Sequence, residues 1–158
     1  MEKAIKVLID SKTDYPAACN AMETLLIHRA LLRDGRAASL IAALRNKNVV
    51  LYGGPKAATE LELTPATSLK AEYGDLMATI EIVDDVWGAI NHINTYGSGH
   101  TESIVTEDPS ATALFLQNVE SACVFHNGIP HYTLFSIYSC RTLTRTYTYS
   151  IHSLCGWL

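Results

Sequence analysis

Short apolar segments alternate with segments of helical spacing along residues 1–127. The apolar segments predict short buried strands, and the intervening segments place apolar residues three and four positions apart, as amphipathic helices do. Strand and helix in turn indicate an α/β unit with a largely parallel sheet, flanking helices and right-handed crossovers. The predicted strands are 25–27, 49–52, 78–83, 104–106 and 122–125, and the predicted helices are 4–9, 31–44, 86–93 and 109–119.

The composition changes abruptly after Asn127. All sixteen acidic and ten of the twelve basic residues lie in 1–127, giving that part a net charge of −6, whereas Arg141 and Arg145 give the remainder +2. Residues 128–158 contain no Asp, Glu, Lys or Ala but four of the eight tyrosines. Thirty-one residues without charge patterning make neither a domain nor a recognisable linker. We predict one domain over 1–127 and an atypical tail of unrelated origin over 128–158.

Charge and hydropathy exclude several classes of partner. A net charge of −4 and a pI of about 5.8 argue against nucleic acid, whose phosphates need a basic face. The sequence has no apolar run near the roughly 18 residues of a membrane span. A signal peptide and an Asn-x-Ser/Thr sequon are also absent, so we predict a protein that is not secreted, with reduced thiols. The four cysteines are Cys19, Cys123, Cys140 and Cys155.

Two motif searches give negative results. Gly97-Ser-Gly99 is followed by Glu102 where the dinucleotide-binding fingerprint needs its third glycine. A group of histidines and cysteines near the C-terminus lacks Cys-x-x-Cys and His-x₃-His spacing, so no metal site is predicted. The members of that group are His126, His131, Cys140, His152 and Cys155.

The segment that points to chemistry surrounds Cys19. It reads Tyr15-Pro-Ala-Ala-Cys-Asn-Ala-Met-Glu23, in which a proline turn and small residues lead to the cysteine. The pattern predicts that Cys19 opens a helical turn, where free N–H groups and the helix dipole would stabilise a thiolate nucleophile. The backbone N–H of Cys19 could then donate a hydrogen bond to the oxyanion that develops when the thiolate attacks an acyl carbon. The alternative interpretation is a small buried hydrophobic residue, since no general base is identifiable.

Ordered blocks of sequence carry a family resemblance. They resemble γ-glutamyl phosphate reductase (glutamate-5-semialdehyde dehydrogenase), most closely the reductase half of bifunctional Δ1-pyrroline-5-carboxylate synthetase, in the aldehyde dehydrogenase superfamily. The resemblance covers nearly all of 1–127. The matching blocks run from Asp10 to His28, then Tyr52-Gly-Gly-Pro-Lys56, Glu72-Tyr-Gly-Asp-Leu76, Glu81-Ile-Val-Asp-Asp85, His92-Ile-Asn94, Tyr96-Gly-Ser-Gly-His-Thr101, Ile104-Val-Thr-Glu107 and Val119-Glu-Ser-Ala-Cys-Val-Phe-His-Asn127.

The resemblance implies an oxidoreductase of proline biosynthesis with the fold of an aldehyde dehydrogenase catalytic domain. Its substrate would be γ-glutamyl phosphate, its product glutamate 5-semialdehyde and its cofactor NADPH. A cysteine thioester would be the intermediate, with Cys19 at the nucleophile's position. The complete enzyme would be a homo-oligomer, located in the cytoplasm or the mitochondrial matrix.

The resemblance also implies roles for five further residues, each with a plainer alternative. Glu72 would bind the nicotinamide ribose, or be a solvated loop carboxylate. Asn20 would orient substrate, or cap a turn. Three residues would approach the substrate, or form only a tight connection before a strand. They are Ser98, His100 and Thr101.

The chain departs from the family pattern at both ends. Met1 begins where the family is past its cofactor-binding region, and after Asn127 the family continues Ala-Ser-Thr-Arg-Phe where this chain reads Gly-Ile-Pro-His-Tyr132. We therefore expect an incomplete catalytic domain with most of the cofactor-binding half missing. Two alternatives are an inactive interaction module that pairs with full-length subunits and an unrelated α/β domain in which Cys19 is inert.

Overall fold

A computed structural model describes residues 1–128 and the backbone of residues 153–156. Seven strands form one sheet in the order β3-β2-β4-β1-β7-β5-β6, and the pairings are all parallel. The prediction of an α/β unit with a parallel sheet is confirmed. The strands are β1 (Thr24–His28), β2 (Val50–Gly53), β3 (Thr64–Pro65), β4 (Met77–Val83), β5 (Thr101–Val105), β6 (Cys123–His126) and β7 (Ser153–Gly156), and the helices are α1 (Glu2–Thr13), α2 (Ala30–Arg33), α3 (Arg36–Arg45), α4 (Pro55–Glu60), α5 (Val86–Tyr96) and α6 (Pro109–Asn118).

The two faces of the sheet carry two separate hydrophobic clusters. Leu25 and Ile27 of β1 point into a cluster with α1 to α4, and Leu26 points into a cluster with α5 and α6. Side chains alternate between the faces of a strand, so a central strand must be apolar on both. This explains the continuous apolar run Leu25-Leu-Ile27 in β1.

The prediction of one helix over 31–44 is wrong. Helix α2 ends at Arg33 and α3 begins at Arg36, with Gly35 between them at φ 77°. Glycine adopts this left-handed conformation without the steric cost that other residues meet. The Ala- and Leu-rich composition therefore makes two helices joined by a glycine turn.

Helix α4 was missed by the sequence pattern. The predicted helices leave residues 53–77 without one, but Pro55 is the first residue of α4, a position that suits its fixed φ and missing N–H. The buried carboxylate of Glu81 accepts hydrogen bonds from the backbone N–H groups of Lys56 (3.4 Å) and Ala57 (3.2 Å). A Cβ on Gly54 would lie 2.4 Å from Glu81 Oε2, so the glycine makes this capping contact possible.

Part of the tail belongs to the sheet. The backbone of Ser153–Gly156 forms β7, which pairs in parallel with β1 on one side and with β5 on the other. Residues 129–152, 157 and 158 lie outside the described residues. The separate origin of the tail stays a prediction.

Candidate active site

The loops that precede β1, β4 and β5 meet at one edge of the sheet. Thr24 of β1 pairs with Thr79 of β4 and with Ser153 of β7, and Ser153 in turn pairs with Glu102 of β5. The amino ends of these parallel strands therefore lie side by side, and we call this side of the sheet the amino edge.

Every site residue predicted from the sequence lies at the amino edge. Two of them precede β1, one precedes β4, two precede β5, and one is the first residue of β5. They are, in that order, Cys19 and Asn20, Glu72, Ser98 and His100, and Thr101.

Cys19 is exposed in two successive turns between α1 and β1. The N–H of Ala18 donates to the carbonyl of Tyr15 (3.0 Å), and the N–H of Ala21 donates to the carbonyl of Ala18 (2.9 Å). The next regular element is a strand, so the prediction that Cys19 opens a helical turn with a helix dipole is wrong. The alternative of a buried hydrophobic residue fits Cys123, which is buried, and does not fit Cys19.

Glu72 and Ser98 line the same cavity, which has a volume of about 170 Å³. Its lining also includes Glu23 and His92 but not the remaining predicted residues. The structure thus brings the predicted cofactor-binding carboxylate and one predicted substrate-binding hydroxyl together, with Cys19 in a neighbouring turn of the same edge.

His100 and Thr101 form a compact turn with Ser98. The backbone N–H of His100 donates to Ser98 Oγ (3.2 Å), and His100 Nδ1 lies 3.2 Å from Thr101 Oγ1. Thr101 is fully buried, whereas Ser98 is exposed and His100 half-buried. These contacts fix the ring of His100 beside the start of β5.

A buried ion pair at this edge was missed by the sequence interpretation. Lys12 Nζ lies 3.2 Å from Glu23 Oε2, and both side chains are buried. Burial lowers the pKa of Lys12 and raises the pKa of Glu23, while their mutual attraction opposes both shifts. A signal was present, because Lys12 falls on the apolar stripe of α1 that Ala4 and Leu8 define at four-residue spacing. A lysine in such a stripe needs a buried partner.

His92 of α5 borders the same cavity. Its Nε2 is buried and has no hydrogen-bond partner among the described residues, and its ring contacts that of Tyr96 at a centroid distance of 4.9 Å. Burial lowers the pKa of His92 to about 4, so the imidazole is neutral at physiological pH.

Among the described residues, no group of three or more His, Cys, Asp or Glu side chains could hold a metal ion. Of the candidates named above, His131, Cys140 and His152 lie outside the described residues, as does the side chain of Cys155. None of the helices in the described part is long and apolar enough to cross a membrane.

The chain is similar in sequence and fold to known proteins. The chain is 50% identical over 128 residues to Delta-1-pyrroline-5-carboxylate synthase of Solanum lycopersicum and 44% identical over 129 residues to gamma-glutamyl phosphate reductase of Acaryochloris marina. The crystal structure of gamma-glutamyl phosphate reductase from Thermotoga maritima matches the fold with a TM-score of 0.78 at 35% identity, over 84% of this chain and 32% of that one. The resemblance to gamma-glutamyl phosphate reductases is confirmed. No protein-family model matches the sequence.

The matches cover most of this chain but a minority of each relative. They take in 81% of the chain and 18% of the tomato protein, and 80% of the chain and 30% of the cyanobacterial reductase. The chain therefore spans less than a third of the length of these curated relatives.

Proposed function

We propose that residues 1–127 are the catalytic-cysteine part of a γ-glutamyl phosphate reductase, an oxidoreductase of proline biosynthesis. The proposal rests on one observation, which is the joint similarity of sequence and fold to proteins of that name. The substrate is γ-glutamyl phosphate, the reductant is NADPH, and the complete enzyme is a homo-oligomer of the cytoplasm or mitochondrial matrix. The interaction-module alternative finds no support in these similarities.

Cys19 is proposed as the nucleophile. Its exposed thiolate attacks the acyl carbon, the carbon–sulfur bond forms, and the bond from carbon to the phosphate oxygen breaks. Phosphate leaves with that electron pair, and the product is a γ-glutamyl thioester on Cys19. A covalent intermediate of this kind divides one difficult displacement into two easier steps.

Glu72 is proposed to hold part of the cofactor. Its carboxylate can accept hydrogen bonds from ribose hydroxyls, and the cavity that it lines, about 170 Å³, is smaller than the roughly 300–1,000 Å³ of sites that enclose drug-sized ligands. The described residues therefore fit one portion of a dinucleotide. NADPH, when bound, supplies the hydride that reduces the thioester to the aldehyde. We expect little or no NADPH-dependent turnover from the 158-residue chain alone, because catalysis needs the cofactor held in place.

Substrate contacts are proposed for the other residues of the amino edge. Asn20 shares the turn of Cys19, and Ser98 shares the cavity of Glu72. His100 lies in the same turn as Ser98, and the buried Thr101 orients the His100 ring through the 3.2 Å contact.

Selective alkylation tests the nucleophile. We expect iodoacetamide to modify Cys19 faster than the buried Cys123 in the folded chain, and prior incubation with γ-glutamyl phosphate to slow modification of Cys19 only. The acyl phosphate can be generated in place from glutamate and ATP by a glutamate kinase. Equal rates at both thiols, or no protection at Cys19, would contradict the proposal.

A further inference from the structure

One buried carboxylate joins the turn of Cys19 to the loop of Glu72. Glu23 lies two residues after Ala21, the last residue of the Cys19 turns, and Tyr73 and Gly74 are the two residues after Glu72. The N–H of Tyr73 donates to Glu23 Oε2 (3.1 Å), and the N–H of Gly74 donates to Glu23 Oε1 (3.3 Å). Both oxygens of a single side chain thus hold the segment that carries Glu72.

The carboxylate of Glu23 is also paired with a lysine of α1. Lys12 Nζ lies 3.2 Å from Glu23 Oε2 and is fully buried. The residues that directly precede Lys12 and Glu23 are also bonded to each other, because the N–H of Met22 donates to the carbonyl of Ser11 (2.8 Å). Residues 12–22 therefore form a loop closed at its base by a backbone bond and an ion pair.

Glu23 also contacts the cavity and the sheet. The residue lines the cavity of about 170 Å³ with Glu72 and Ser98, and its backbone carbonyl accepts from the N–H of Thr79 in β4 (2.9 Å). Hydrogen bonds to a buried charged group are stronger than those between neutral groups. Loss of the Glu23 carboxylate would therefore release two site segments at once.

We propose that Glu23, held by Lys12, is a positioning residue that fixes the Cys19 turn against the Glu72 loop. The inference rests on the proposed function for its catalytic meaning, but the mechanical link stands on the contacts alone. Glu23 acts through Cys19 and Glu72, and orients the thiol relative to the cavity.

Hydrogen exchange in the full 158-residue chain tests the link. In Glu23→Gln we expect about 10- to 100-fold faster exchange at the amides of Tyr73 and Gly74. We also expect faster exchange at the amides of Ala18, Ala21 and Met22 in the Cys19 turn. Tyr73→Phe is the matched control, because it removes only the 2.8 Å contact between Tyr73 Oη and Thr79 Oγ1 and leaves both amide bonds to Glu23.

Chemical reactivity separates positioning from mere stabilisation. We expect Glu23→Gln to lower the rate at which γ-glutamyl phosphate acylates Cys19 by about tenfold or more, because acylation needs an aligned thiol. Alkylation by iodoacetamide should change less than about twofold, because Cys19 is exposed in either case. A purely structural role would leave the ratio of the two rates as it is in the parent chain.

The two proposals fail in different ways. If the parent chain is never acylated, the proposed function fails, and exchange alone decides the link. The link is overturned if Glu23→Gln speeds exchange no more than Tyr73→Phe does, if only one of the two segments opens, or if exchange rises uniformly. Should Glu23→Gln not fold, the charge-neutral Lys12→Met/Glu23→Gln variant is measured by the same criteria.

Discussion

Ion pairs are buried at the amino edge of the sheet and exposed at the opposite edge. At the amino edge, Lys12 and Glu23 form a buried ion pair that ties two loops together. At the opposite edge, where β1 and β4 end in register at His28 and Val83, the ion pairs are exposed: Asp84 contacts Arg29 and Lys56, and Arg29 also contacts Glu60. Water screens the second set and not the first. Removing one partner of an ion pair should therefore lower the free energy of unfolding more at the amino edge than at the opposite edge.

The largest effect is expected for Lys12→Met. The variant leaves the Glu23 carboxylate buried without a cation, which typically costs about 3–5 kcal/mol of unfolding free energy. Urea denaturation measures the loss, and Lys3→Met is the control, since Lys3 makes an exposed ion pair with Glu107. A similar urea midpoint for both variants would show that burial does not distinguish the two pairs.

His92, at the amino edge, makes the free energy of unfolding depend on pH. Its pKa is about 4 in the folded chain and about 6.5 when unfolded, so the unfolded state binds the extra proton first. The contribution of His92 to the free energy of unfolding is therefore complete above about pH 6.5. It is lost as the pH drops towards 4, and the total loss is about 3 kcal/mol. His92→Phe should flatten this part of the stability curve. Parallel curves for His92→Phe and the parent chain would refute the assignment.

The opposite edge should be sensitive to backbone packing. A Cβ on Gly53 would lie 2.5 Å from the backbone nitrogen of Ala58 in α4, and overpacking of this kind costs about 1–3 kcal/mol. Gly53→Ala should therefore lower the urea midpoint. At Gly88 the nearest atom would be 3.5 Å away, so Gly88→Ala in α5 should be neutral or stabilising. Equal destabilisation by both would contradict this account.

The smallest effect is expected for Asp84→Asn. The neighbouring Lys56 and Arg29 lower the pKa of Asp84 to about 2, yet the carboxylate is exposed. We expect its urea midpoint to change less than that of Lys12→Met, His92→Phe or Gly53→Ala, and less still in high salt. A decrease in the urea midpoint as large as that of Lys12→Met would contradict the proposed difference between the two edges.

Local sequence patterns predicted most of the fold. The predicted alternation of strands and helices corresponds to the observed elements. The predicted helices 86–93 and 109–119 correspond to α5 and α6, which the Asp85 and Asp108 side chains cap. Gly35 ends α2 because its backbone takes a left-handed conformation, which composition alone does not reveal. Helix α4 depends on the distant carboxylate of Glu81, so no local pattern could specify it.

The sequence named candidate site residues but not the contacts that link their loops. The resemblance predicts roles for Cys19 and Glu72, which are 53 positions apart, but their common edge follows from strand register. Glu23 contacts Lys12, Tyr73 and Gly74, and those contacts exist only once α1, β1 and β4 pack together. A lysine on the apolar stripe of α1 was the one sequence signal that a buried partner was required.

The most direct test of the central claim is to locate the acyl group on the protein. The 158-residue chain is incubated with γ-glutamyl phosphate, quenched in acid, digested and mapped by mass spectrometry, with Cys19→Ser as the control. The account predicts one hydroxylamine-sensitive γ-glutamyl group on the peptide that contains Cys19, and none in the variant. A γ-glutamyl thioester on Cys123, equal labelling of Cys19→Ser, or no thioester at all would contradict it.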